Sequence, residues 1–161
     1  MSRMVLIAAL LSPILASAQQ PKLPPDLDVT AIRGLCLQHD GRWPPLDTVA
    51  RDIVTSVTGN ARYRGADPVL WLLAWTFEPD TWMHEPLITI RNAELRRELQ
   101  LSPTQTVFSY SALLTHGPLR QLVESLRQVE RGRKLNPLES KVSDIHEKLT
   151  LLQTVFRASQ L

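Results

Sequence analysis

The sequence predicts a mainly α protein, a single domain of packed helices with a C-terminal αα-hairpin and a small two-stranded β element. Three observations predict it. Residues 68–77 are apolar almost all round, with Trp71 and Trp75 four apart, the composition of a helix buried at the centre of a core. Further on, Leu138, Val142, Ile145, Leu149, Leu152 and Phe156 recur at alternating steps of four and three, the seam of a helix packed lengthwise on a partner. Only two short stretches, Leu87 to Ile90 and Thr106 to Phe108, have strand character, enough for one pair and no larger sheet.

The first 18 residues carry one positive charge at Arg3, an apolar core from Met4 to Leu11 continuing through Ile14 and Leu15, and the small-residue ending Ala16, Ser17, Ala18. That pattern predicts a cleaved secretory signal, 1–18, with processing after Ala18 and a soluble periplasmic product that has no transmembrane segment in the mature chain. Pro21, Pro24 and Pro25 mark residues 19–34 as a Pro-rich arm. Residues 35–161 then form one mainly helical domain, as the chain length allows one modest core but hardly two.

The formal charge of +2 falls closer to zero once Arg3 leaves with the signal, so no nucleic-acid partner is expected. Arg127, Arg131, Arg133 and Lys134 do cluster, but Glu124, Glu130 and Glu139 lie among them, so the cluster reads as a solvated helix end. One cysteine precludes an internal disulfide and leaves stability to packing. Cys36, between Leu35 and Leu37, is expected to be a small buried hydrophobe; haem attachment would need CxxCH, which is absent.

The elements follow in order. Leu35 to Gln38 is a short extended piece ending in the turn signal His39, Asp40, Gly41. Pro44 and Pro45 keep the backbone extended, after which Val49, Ala50, Ile53, Val54 and Val57 recur at helical spacing. A helix is predicted from about Thr48 to Thr58, capped by Asp47 or Thr48 and stopped by Gly59 and Asn60. Asp67 followed by Pro68 starts the tryptophan helix. Asn92 caps a short charged helix, Ala93 to Leu99, whose apolar members are Leu95 and Leu99. Ser111 to Thr115 makes a turn or two of helix before Gly117 and Pro118 interrupt it. Leu119, Leu122, Val123, Leu126 and Val129 mark a helix ending near Gly132, and Asn136 with Pro137 opens the last one.

No catalytic set is legible. The sequence has no GxSxG, no glycine-rich phosphate loop and no HExxH, and no two of its four histidines lie within one helical turn of each other. Neither a metal site, a cofactor nor an enzyme activity is expected. The four tryptophans, at 43, 71, 75 and 82, are expected in the core rather than in a ligand cage.

The stretch LQHDGRWPPLDTVAR, residues 37–51, resembles a segment of the extracytoplasmic region of ResB/CcsA-type proteins, the System II machinery of bacterial cytochrome c biogenesis. The likeness continues through DPVLWLLAWTFEPDTW, 67–82, and PLITIRNAELR, 86–96, and covers roughly residues 35 to 115. Cys36 departs from it, standing near where a Pro is usual. The tryptophan-rich haem-handling segment and haem-liganding histidines of the family's membrane helices have no counterpart in these residues. The resemblance therefore implies the soluble domain without the synthase. It implies an accessory or scaffold role in cytochrome c biogenesis beside membrane assembly proteins of the ResB/CcsA type; the alternative is a general periplasmic protein–protein interaction module unrelated to haem.

Within the central stretch, Gly41, Pro45, Asp47 and Thr48 are expected to shape the turn and the helix start. Arg42, Trp43 and Arg51 are the candidate partner-binding residues, being of types suited to interface hot spots and to carboxylate recognition. The opposing possibility is a purely structural plug, with Trp43 packed inward and Arg42, Asp47 and Arg51 joined in an ion-pair cluster.

Overall fold

A computed structural model describes residues 27–38, 41–128 and 133–158. The expected signal segment, the first half of the Pro-rich arm (19–26), His39 with Asp40, and the helix end near Gly132 lie outside them. The described chain is mainly helical: α1 Leu46–Thr58, α2 Pro68–Phe77, α3 Pro79–Trp82, α4 Ala93–Glu98, α5 Tyr110–Leu114, α6 Gly117–Arg127 and α7 Pro137–Arg157. Strands β1 Pro86–Thr89 and β2 Val107–Ser109 pair antiparallel, with an irregularity between Pro86 and Ile88. No helix among the described residues is long and apolar enough to cross a membrane.

Helix starts follow local chemistry. Asp67 accepts from the Val69 amide at 2.9 Å, with Pro68 in the first helical position. Asn92 accepts from Leu95 N at 2.7 Å. At α7, Asn136 and Glu139 exchange side-chain bonds to each other's amides at 2.8 Å, a capping box. The first helix departs from expectation, since it begins at Leu46 and neither Asp47 nor Thr48 caps it. The Pro45 carbonyl takes the amides of Thr48 and Val49 directly, and the Asp47 carboxylate is drawn away by two arginines. Gly59 closes α1 with φ +77°, a left-handed conformation that glycine adopts without steric cost.

The tryptophan helix lies at the heart of the core. Trp71, Trp75 and Trp82 are all buried, and Trp71 is the hub, with ring centroids 5.9 Å from Trp75 and 5.1 Å from both Trp82 and Tyr63. Its indole N–H donates to the Tyr63 carbonyl at 2.8 Å. Val54 and Val57 of α1, Leu87 and Ile88 of β1, and the seam of α7 belong to the same core. Of that seam Val142, Ile145, Leu149, Leu152 and Phe156 are buried, and Val155 joins them. The seam meets α2, α1, α4 and α5 as well as its hairpin partner α6, so α7 packs along the whole domain rather than on one helix.

A second, smaller cluster joins Val29 to Leu46, Ala50 and Val69. Val29 thus ties the turn at residues 29–34 onto α1 and α2, although composition groups that turn with the Pro-rich arm.

Two side chains sit where local composition did not suggest. Cys36 is exposed rather than buried. It forms an isolated antiparallel bridge with Pro45 on a narrow ribbon whose neighbouring Leu35 and Leu37 are also exposed, so apolar flanks there do not signal a core. Trp43 is 68% exposed and does not join the other three tryptophans. Arg96 is the converse case, a charged residue buried in the short helix α4. It donates to the carbonyls of Ile90 and Arg91 at 2.8 Å and of Pro103 at 3.2 Å.

Candidate partner interface

Residues 35–38 and 41–46 lie side by side as a narrow antiparallel ribbon. Leu46 N donates to Leu35 O at 2.7 Å and Leu37 N to Pro44 O at 3.0 Å, the two bonds that flank the Cys36–Pro45 bridge. The returning strand begins at Gly41, whose φ of +73° suits glycine and strains any other residue. Pro44 and Pro45 then stiffen the return into α1.

The base of this ribbon is held by charge. Arg33 donates from Nη1 to Asp47 Oδ1 at 2.6 Å and from Nη2 to Asp67 Oδ2. Arg51 donates to the other Asp47 oxygen at 2.8 Å, one helical turn along α1. Asp67 is also the cap of α2, so one guanidinium joins the turn at residue 33, the first turn of α1 and the start of α2. Asp47 N donates in addition to Arg33 O at 3.1 Å. The Arg51 hydrogen bond, with Arg33 adding, holds the Asp47 carboxyl below its ordinary range, and the Asp67 carboxylate raises the Arg33 guanidinium.

The expected residues therefore divide. Gly41, Pro45 and Asp47 shape the ribbon and its base, and Thr48 is an exposed first-turn residue whose amide meets Pro45 O. Arg51 is partly exposed and committed through one nitrogen to Asp47. Arg42 and Trp43 are exposed on the returning strand, away from the clamp. The anticipated pairing of Arg42 with Asp47 is not formed, because Arg33 and Arg51 occupy both carboxylate oxygens. Arg33 is the member that sequence reasoning missed. Its partners lie 14 and 34 residues away, and no periodicity or cap links positions so distant.

The sequence matches no protein-family model and no curated protein. The assignment of a role therefore rests on the site itself and on the sequence resemblance described above.

The ribbon leaves Leu35, Cys36, Leu37, Arg42 and Trp43 exposed. A separate groove of about 580 Å³ lies between α5, α6 and α7. Leu113, Leu119 and Leu149 floor it, and Arg120, His146 and Gln153 border it. Among the described residues no group of three or more His, Cys, Asp or Glu side chains is placed to hold a metal ion.

Proposed function

We propose that this chain is a non-enzymatic, extracytoplasmic accessory protein of cytochrome c assembly, which docks on a membrane synthase of the ResB/CcsA type through the ribbon of residues 35–38 and 41–46. The observation that carries the docking surface is Trp43. A large aromatic, 68% exposed, stands on a proline-stiffened ribbon whose base is clamped by Arg33, Asp47, Arg51 and Asp67. A rigid exposed Trp with a neighbouring Arg combines the two residue types most enriched at interface hot spots, and presenting them on a fixed frame lowers the ordering cost of association. The tie to cytochrome c comes from the LQHDGRWPPLDTVAR stretch, which supplies most of the ribbon and two residues of its clamp, Asp47 and Arg51. The protein acts by contact and holds no haem of its own. Export rests on the expected signal, and mass spectrometry of the exported product should find Gln19 at its N-terminus.

The test is paired. Arg42→Ala and Trp43→Ala should leave thermal stability nearly unchanged and weaken co-purification of the membrane partner. Deleting the gene should lower the level of haem-stained cytochromes c. A folded, stable Arg42→Ala, Trp43→Ala double variant that captures its partner as well as the parent does would remove the ribbon from the interface. Normal levels of every holo-cytochrome c in the deletion strain would leave a general periplasmic interaction module as the better account.

A further inference from the structure

A polar pocket of about 270 Å³ opens beside the clamp, lined by Arg33, Arg51, Arg62, Asp67, Gly65, Ala66 and Pro68. Its charge is unbalanced. Three guanidinium groups border it, and the two carboxylates of the clamp already have all four oxygens engaged, with Arg33, with Arg51 and with the Val69 amide. Arg51 spends a single nitrogen on Asp47. The Arg62 side chain has no carboxylate or carbonyl partner among the described residues, and only its backbone amide is bonded, to Asn60 Oδ1. The pocket therefore keeps an excess of one positive charge and a set of guanidinium N–H donors with no internal acceptor.

We propose that this pocket binds carboxylate groups, with Arg62 and the free edge of Arg51 as the donors and Arg33, held by Asp47 and Asp67, as part of the lining. Guanidinium groups match carboxylates in a planar two-bond geometry, and a cluster of them recognises more than one carboxylate at a time. The ligand is accordingly a polyanionic carboxylate, supplied either by a small free polycarboxylate or by an acidic peptide segment. The site lies on the clamp side of the ribbon and does not depend on the link to cytochrome c.

Isothermal titration of the full exported chain at constant ionic strength tests this, with citrate as one probe and acetyl-Glu-Glu-Glu-Glu-amide as the other. Saturable binding of at least one probe is expected, and Arg62→Gln should weaken it about ten-fold, the loss of a charged hydrogen bond. Arg62 is exposed and outside the clamp, so the variant keeps its fold, which circular dichroism verifies. Arg97→Gln removes an equally exposed charge on α4 and should leave the affinity unchanged. Citrate binding alone assigns the site to a small polycarboxylate, and peptide binding alone to an acidic segment. Failure of both probes to bind saturably, or equal weakening by the two substitutions, overturns the proposal.

Discussion

Arg33 and Asp67, 34 residues apart in the chain, are joined by an ion pair at the point where α1, α2 and the ribbon meet. The same guanidinium holds Asp47, so its loss would leave Asp47 with Arg51 and Asp67 with only the Val69 amide. Arg33→Ala should therefore lower the melting temperature more than Arg51→Ala does. Thermal unfolding of the two single variants and the double variant checks this, and an Arg51→Ala loss as large as that of Arg33→Ala would show that the bridge to Asp67 contributes little.

Acid should weaken the clamp in a defined direction. The Asp47 carboxyl lies below its ordinary value in the fold, first through Arg51 and then through Arg33. In the acid range the unfolded chain binds the proton more readily than the folded one. The contribution of Asp47 is thus complete above the unfolded value of about 4 and is lost as pH falls through the lower folded value. Urea midpoints measured at descending pH should fall less steeply in Asp47→Asn than in the parent.

Lys148 also makes stability rise with pH, but by relief of a penalty rather than by gain of a contribution. Burial pushes its ammonium below the usual lysine range, with Asp144 opposing the shift and Arg91 adding to it. A base with a lowered folded value is penalised at neutral pH, and stability rises as pH climbs from the folded value toward the unfolded one near 10.4. Lys148→Met keeps the apolar stem, removes the charge, and should raise the urea midpoint at pH 7. The parent should approach the variant as the solution becomes alkaline.

The tryptophans separate by burial. Trp71 touches Tyr63, Trp75 and Trp82 in the core, so Trp71→Ala should cost about 3–5 kcal/mol in urea unfolding. Trp43→Ala removes an exposed ring and should stay within about 0.5 kcal/mol of the parent. A large loss at Trp43 would mean that the ribbon is a structural plug after all.

Arg96 tests a polar core contact. Its planar fork reaches three carbonyls from three different residues, a geometry that a single ammonium cannot reproduce. Arg96→Lys keeps the charge and should still destabilise by roughly 1–3 kcal/mol, the cost of buried carbonyls left unpaired. A neutral Arg96→Lys would show that water reaches those carbonyls.

Much of the fold is legible in the sequence because its signals are local. Asp67, Asn92 and Asn136 bond to amides two or three residues ahead, Gly59 needs a left-handed backbone at its own position, and the α7 stripe repeats every turn. Such features are set by neighbouring residues and predict the helices other than the single turn α3, the strand pair and the buried Trp71 and Trp75. Trp43, Cys36, Arg96 and Arg33 obey a different constraint. Whether Trp43 joins the other tryptophans depends on how far the ribbon stands from α2, and the fate of Cys36 depends on which face of that ribbon meets α1. Arg96 is buried because carbonyls from 90, 91 and 103 converge on it, and Arg33 finds Asp67 only after α1 and α2 have packed. Periodicity and caps record the energy of one segment at a time, whereas an ion pair across 34 residues or a buried cation records the meeting of several, and only the assembled chain contains it.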